Sequence, residues 1–336
     1  MEVSAIFPPS LDTPDHIALA EELGYERAYV YDVPVTYADT GITLAMAAAR
    51  TSRIRLGVAV LTPHLRHLVV NAALVAHLAT IAPGRFDVGI GSGFTSAAYI
   101  GRKPAKWADV ERYAENLRTL LAGGDTEVDG TVVSLLHPPR SGIRFPIDVP
   151  IWIGAHGPKA YECATRLNAA GIITVPMHGD TKVTFEGPSQ VMFYCTVLED
   201  GESLESPRVL EAAGPGAALA LHLGQQGPLA GTPEAVGYEA AIAEFDASRR
   251  HLEHHRGHLM EPTEIDRRFL NATAISRGTA TGTAAEVANT LRYLEASGAA
   301  GVLYQPGGPD IERELCAFYE AAQARHDLPA PAVQAL

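Results

Sequence analysis

The chain has 336 residues, 47% of them hydrophobic and 19% charged, which is long enough for either two ordinary domains or one α/β barrel with a large core. A net charge of −13 and a pI near 5.4 argue against a general nucleic-acid or anionic-membrane binder, because such partners reward a basic surface. A small-molecule partner is expected, with no nucleic acid and no membrane.

In chain order, short apolar runs rich in β-branched and aromatic residues alternate with stretches of helical period: VSAIF, PDHIALAEELG, RAYVYD, TGITLAMAAARTS, RLGVAVL and HLVVNAALVAHLATI. FDVGIG and the helix WADVERYAENLRTLLAGG follow, the latter stopped by Gly123 and Gly124. TEVDGTVVSL reads as a small hairpin turning on Asp129 and Gly130. VPIWIGA, a helix from Pro158 to Ala169, GIITVPM and QVMFYCTVL resume the alternation, and TAAEVANTLRYLEASG, AGVLYQP and PDIERELCAFYEAAQA close it. About eight strands, nearly all apolar and mostly followed by a helix, fit a (β/α)8 TIM barrel with insertions better than an open sheet. Residues 199–275, rich in Glu, His, Arg and Gly and poor in periodicity, are expected to form a lid-like insertion within one domain spanning 1–336.

Cys163, Cys195 and Cys316 are widely spaced in apolar segments, which predicts buried reduced thiols rather than a disulfide framework or a metal site. The first residues reach Pro8 and Pro9 before any apolar run long enough for a leader, and no later run approaches a membrane span, so a cytoplasmic location is expected.

In such a barrel the chemistry sits at the C-terminal ends of the strands: Phe7 to Pro9, Asp32, Val60 to Pro63, Gly91 to Phe94, Gly154 to Lys159, Pro176 to His178 and Gln305 to Gly307. Gly89, Gly91 and Gly93 leave a strand end without Cβ atoms, which serves either close approach of a flat ring or phosphate, or tight packing of strand on helix. Gly157 precedes Pro158 at the start of a helix and Lys159 adds a cation, an arrangement that suits a phosphate and equally a well-capped helix; Arg102, Lys103 and Lys106 add further basic residues. Asp32 closes its strand either as a turn residue or as a catalytic or cofactor-contacting acid. His64, His67, His156, His178 and His258 fall in loops that could face the cavity. RRHLEHHRGHLMEP brings His251, His254, His255 and His258 together without a carboxylate or cysteine at familiar zinc spacing, so no metal site is expected.

ARTSRIRLGVAVLTPHLRH, LATIAPGRFDVGIGSG, ENLRTLLAGG, VPIWIGAHGPKA, GTAAEVANTLRYLEASGAAGVLYQPGGPD and ERELCAFY together resemble the bacterial luciferase-like superfamily, and within it the branch around methylene-tetrahydromethanopterin reductase. The resemblance implies a TIM barrel, commonly a homodimer, that binds coenzyme F420 or FMN at the C-terminal mouth. It further implies that the ring lies over a bulge with a non-prolyl cis peptide at Ala59 and Val60, that Asp32 lies near the ring, that Gly91, Ser92 and Gly93 form the loop beside it, and that Ala155, His156 and Gly157 form the phosphate-side loop. The chain departs from the branch at Val33, where histidine is usual, at Phe94, where an acid is usual, and at Leu68, where proline is common, which argues for a more apolar or a different substrate. The reading is an oxidoreductase in which reduced F420 delivers a hydride to a small organic substrate, with Asp32, His178 and, from the insertion, His258 as candidates for the proton role. The alternatives are an FMN-dependent monooxygenase of the same fold and a non-catalytic flavin-binding barrel.

Overall fold

The computed structural model describes residues 1–175 and 185–328. Eight strands close into a parallel barrel: β1 (Glu2–Phe7), β2 (Arg27–Val30), β3 (Arg55–Leu61), β4 (Phe86–Ile90), β7 (Ile151–Gly154), β8 (Gly171–Thr174), β9 (Ser189–Tyr194) and β10 (Gly301–Gln305), hydrogen-bonded in the order β1-β10-β9-β8-β7-β4-β3-β2. Each matches one of the apolar runs, as strands buried on both faces require. Between β4 and β7, β5 (Thr126–Val128) and β6 (Thr131–Val133) form the antiparallel hairpin, with positive φ at both Asp129 (51°) and Gly130 (76°) as a tight hairpin turn demands.

The outer ring is α1 (Thr13–Leu23), α2 (Thr40–Arg50), α3 (Leu68–Ile81), the short α4 (Phe94–Tyr99), α5 (Trp107–Leu121) and α6 (Pro158–Arg166), completed near the C-terminus by α13 (Ala284–Ala296) and α14 (Ile311–Ala324). The helix starts follow from sequence: Asp39 accepts from the Ile42 amide at 3.0 Å to cap α2, and Thr283 with Glu286 forms a reciprocal capping box on α13. Helix α6 ends at Arg166, short of the expected Ala169, because Asn168 turns into positive φ (45°).

Between β9 and α13 the chain builds α7 (Pro207–Ala212), α8 (Gly214–His222), α9 (Pro233–Ala243), α10 (Arg250–His254), α11 (Glu264–Arg267) and α12 (Ala272–Gly278), in the region read as an insertion. These helices bury a small core of their own, including Val209, Leu221, Tyr238, Ile242 and Ile275, distinct from the main core between barrel and helices. The insertion rests on the C-terminal end of the barrel: the Tyr37 and Tyr99 hydroxyls donate to the carbonyls of His258 and His255, and Gln305 Nε2 donates to the Leu259 carbonyl at 2.7 Å.

The barrel interior is filled in layers. Ile6, Tyr29, Trp152, Met192 and Leu303 occupy the middle. Beneath them a polar floor gathers around Asp87, fully buried, whose carboxylate takes both Arg27 and Arg55 and the Tyr29 hydroxyl, while Glu2 holds Arg27 from the other side. Burial favours the neutral form of Glu2, yet the bonds from Arg27 and Gln190 outweigh it and hold its carboxyl below the usual range.

Cys163, Cys195 and Cys316 are free, and the first two are buried as expected; Cys316 is half-buried because it lies on the outer side of α14. Among the described residues no helix is long and apolar enough to cross a membrane.

Candidate active site

The opening feature of the site is a break in β3. Its pairing with β4 shifts between Val58 and Leu61, and the Ala59–Val60 peptide is cis, at the position the resemblance implied. The extra residue turns Val60 toward the barrel interior, half-buried beside Ala59 in the inner cluster. Three neighbouring glycines make room for it. A Cβ on Gly91 would stand 2.8 Å from Val60 Cγ2, one on Gly154 2.9 Å from Val60 Cγ1, and one on Gly89 2.6 Å from the Val58 carbonyl oxygen. The side chains missing from β4 and β7 are therefore accounted for by the bulge of β3, a close approach of protein to protein. Gly93 differs: its φ of 76° starts α4, and a Cβ there would press on Thr62 and Ser96.

Asp32 lies at the end of β2, 2% exposed, and is fully engaged. Arg66 pairs with one carboxylate oxygen and the Thr40 hydroxyl donates to the other at 3.2 Å; Arg66 also reaches Asp39, so one guanidinium ties the loop after β3 to the loop after β2. Two other polar atoms of the loop after β3, Thr62 Oγ1 and His64 Nε2, are buried without a partner. Such atoms need one, since an unmade buried hydrogen bond costs about 1–3 kcal/mol. Ser92 is half-buried, and its carbonyl accepts from the Ala105 amide at 2.8 Å, which fixes the segment carrying Arg102, Lys103 and Lys106 over the glycine loop with those three side chains exposed.

On the opposite rim Ala155 is buried and holds the Ile173 carbonyl at 2.8 Å, whereas His156 and Lys159 are exposed. Gly157 takes φ 95° as the residue before α6, and a Cβ there would meet nothing within 4 Å, so the chain is open to solvent at the helix start. Tyr31 and Tyr194 complete the inner wall: the Tyr31 hydroxyl donates to Gln305 Oε1 at 2.6 Å, and burial raises both phenols.

His178 lies outside the described residues. His258 is buried, with Nε2 3.4 Å from Thr95 Oγ1 and Nδ1 3.5 Å from His222 Nδ1; burial first, then the nearby His222 and His254, push it down to about 3. A ring in that state is neutral near pH 7, which does not suit the proton-donor role expected for it. The structure also brings in residues the sequence reading does not name: Tyr31, Tyr194, and above all His222 with its partner Asp266.

A family model described as luciferase-like monooxygenase matches residues 8–184, more than half of the chain. The chain belongs to the luciferase-like monooxygenase family. This luciferase-like chain is 35% identical over 175 residues to an F420-dependent glucose-6-phosphate dehydrogenase of Beutenbergia cavernae, a match covering 47% of the chain and 51% of the relative. It is 27% identical over 182 residues to a 5,10-methylenetetrahydromethanopterin reductase of Methanolobus tindarius, covering 52% and 53%. The luciferase-like chain thus spans about half the length of the curated relatives it matches. Its fold follows that of the coenzyme F420 dependent tetrahydromethanopterin reductase from Methanopyrus kandleri, with a TM-score of 0.71 and 18% identity over 96% of this chain and 98% of the other. The FMN-bound oxygenating constituent of 3,6-diketocamphane monooxygenase from Pseudomonas putida is similar in fold at a TM-score of 0.61 and 16% identity, over 97% and 98%.

Proposed function

We propose that this chain is an oxidoreductase in which reduced coenzyme F420, held at the C-terminal mouth, transfers a hydride to a small organic substrate. The observation that carries the reading is the Val60 bulge seated in its glycine cradle, an apolar platform at the mouth of a chain whose relatives are named for F420. The residues present fit such a group. Thr62 Oγ1 and His64 Nε2 are orphaned buried polar atoms of the kind a ring's polar edge satisfies, and the open start of α6 with Gly157 and Lys159 suits a phosphate. When bound, F420 supplies the hydride, and carbon in place of the flavin ring nitrogen makes it sluggish toward dioxygen.

The chain's own part is to bind, orient and exclude water. Ala59, Val60, Gly91, Ser92 and Gly93 form the ring side of the proposed site and Ala155, His156, Gly157 and Lys159 its phosphate side. Asp32 is a positioning residue that fixes Arg66 across the two loops. His178 keeps the proton-supply proposal made from the sequence. The insertion closes over the mouth through the bonds of Tyr37, Tyr99 and Gln305 to residues 255–259. Apolar Val33 and the exposed Phe94 agree with a substrate less polar than a pterin.

Titration of the purified apoprotein with F420 and FMN, oxidised and reduced, tests the reading by fluorescence or calorimetry. Selective F420 binding is expected. Selective binding of reduced FMN would overturn it in favour of the monooxygenase.

A homodimer is proposed with it. Helices α2 and α3 present Ile42 (64% exposed), Met46 (37%), Val70 (53%) and Ile81 (40%) on neighbouring outer faces, an apolar surface that a second copy of the chain would cover. Met46→Glu is expected to halve the mass measured by light scattering; a parent that is already monomeric at micromolar concentration would sink the proposal.

A further inference from the structure

Three histidines from two separate parts of the insertion meet in its interior. His222 ends α8, while His255 and His258 lie in the loop after α10, and all three are 6% exposed. One ring nitrogen of each lies within 4.8 Å of the other two. We propose that His222, His255 and His258 form a binding site for a divalent transition-metal ion of the zinc type, with Asp266 as the carboxylate that orients His222.

The chemistry of the cluster is that of a metal centre. Asp266 Oδ1 stands 2.9 Å from His222 Nε2; a carboxylate accepts, so Nε2 carries a proton, which leaves Nδ1 as the ring atom that would offer a lone pair to a metal. That Nδ1 faces His258 Nδ1 at 3.5 Å. Tetrahedral zinc with Zn–N bonds of about 2.0–2.1 Å sets its ligand nitrogens about 3.3–3.4 Å apart. His255 Nδ1 is buried with no hydrogen-bond partner, which is what a ligand lacking its ion presents. The orienting group is itself fixed: Asp266 takes the Thr263 amide and hydroxyl, both at 2.7 Å, in the capping box of α11. The His254 ring meets the His222 carbonyl at 2.9 Å and holds the end of α8 in place. Phe94, Tyr99 and Tyr238 pack their rings around the cluster, giving it a largely apolar shell.

Residues 251–258 alone predict no metal, because their local spacing lacks a familiar ligand pattern. The missing members, His222 and Asp266, come from α8 and α11. Three imidazoles leave a fourth position for water or an anion. An ion there would bind α8 to the 255–259 loop, and the carbonyls of that same loop take Tyr37, Tyr99 and Gln305 from the barrel rim. The metal would thus hold the insertion on the barrel mouth, and His258 would be a ligand rather than a proton donor.

The test uses the full chain and reads metal, independently of any F420 binding. Chelator-treated protein is titrated with Zn2+ and with Co2+, the latter followed by the intense visible bands of four-coordinate cobalt. One equivalent is expected to bind, with a rise in melting temperature. Asp266→Asn is expected to weaken binding about 10–100-fold. His255→Gln, which leaves the His222–Asp266 pair in place, is expected to abolish the cobalt bands, and His251→Gln, outside the cluster, to leave them. Failure of the parent to take up one equivalent, or equal uptake by His255→Gln, would overturn the proposal.

Discussion

Asp87→Ala is expected to lower the stability of the protein by about 3–5 kcal/mol, the cost of removing the buried partner of an ion-pair network. The carboxylate is fully buried at the end of the barrel opposite the mouth, and it pairs with two guanidinium groups at once, Glu2 supplying the second negative charge. Arg27, with its side chain 14% exposed, would keep Glu2; Arg55, 29% exposed, would keep the Gly84 carbonyl and partial access to water. The Tyr29 hydroxyl, in the barrel interior, would lose its acceptor outright. Asp87→Asn keeps the shape and removes the charge, so it separates the ionic part of the loss from the packing part. Urea unfolding measures both: the midpoint should fall steeply in each variant with the slope unchanged. Binding at the mouth, measured where the variants are still folded, should stay at the parent's level, because Asp87 lies at the N-terminal end of the strands, which serves the barrel's stability and not the chemistry at the mouth. A loss below 1 kcal/mol for Asp87→Ala would mean that water reaches the floor and satisfies both arginines.

The barrel was legible because strands buried on both faces must be apolar throughout, and runs such as RLGVAVL, VPIWIGA and AGVLYQP have no other economical reading between helical stretches. The tight hairpin was legible for a local reason too, since Asp129 and Gly130 carry the backbone geometry of the turn. What escaped were the partnerships across the fold. Gly89 and Gly91 stood out as a gap in a strand, but the group filling it, Val60, belongs to the strand before, and only the bulge brings it there. Asp87 is a lone polar residue within FDVGIG, and the two arginines that pair with it, Arg27 and Arg55, come from two other strands. His222 sits in GPGAALALH, an apolar helix with nothing to connect it to the histidines that follow, and Asp266 in a short helix whose capping box explains it locally. Periodicity reports which face a residue takes; it does not report which residue faces it.

Gly89→Ala should be the most damaging single change near the mouth. A Cβ there would stand 2.6 Å from the Val58 carbonyl oxygen and 3.2 Å from Ala59 Cα, so the conflict is with backbone, and the bulge itself must move. Overpacking of this kind costs about 1–3 kcal/mol, and here it would also displace the platform on which the ring is proposed to lie, so cofactor binding should be lost along with stability. Gly91→Ala meets a side chain instead, Val60 Cγ2 at 2.8 Å, and Gly154→Ala meets the other methyl at 2.9 Å. Those two changes can be relieved by shortening Val60, whereas Gly89→Ala cannot. The comparison becomes a double-mutant cycle: Val60→Ala should recover much of the stability lost by Gly91→Ala, a coupling within the about 0.5–3 kcal/mol seen for residues in contact, and recover almost none of that lost by Gly89→Ala. Thermal unfolding of the parent, the three single variants and the two double variants decides it. If Val60→Ala rescues both glycine variants alike, the backbone of the bulge yields more readily than this packing implies; if it rescues neither, the glycines serve something other than Val60.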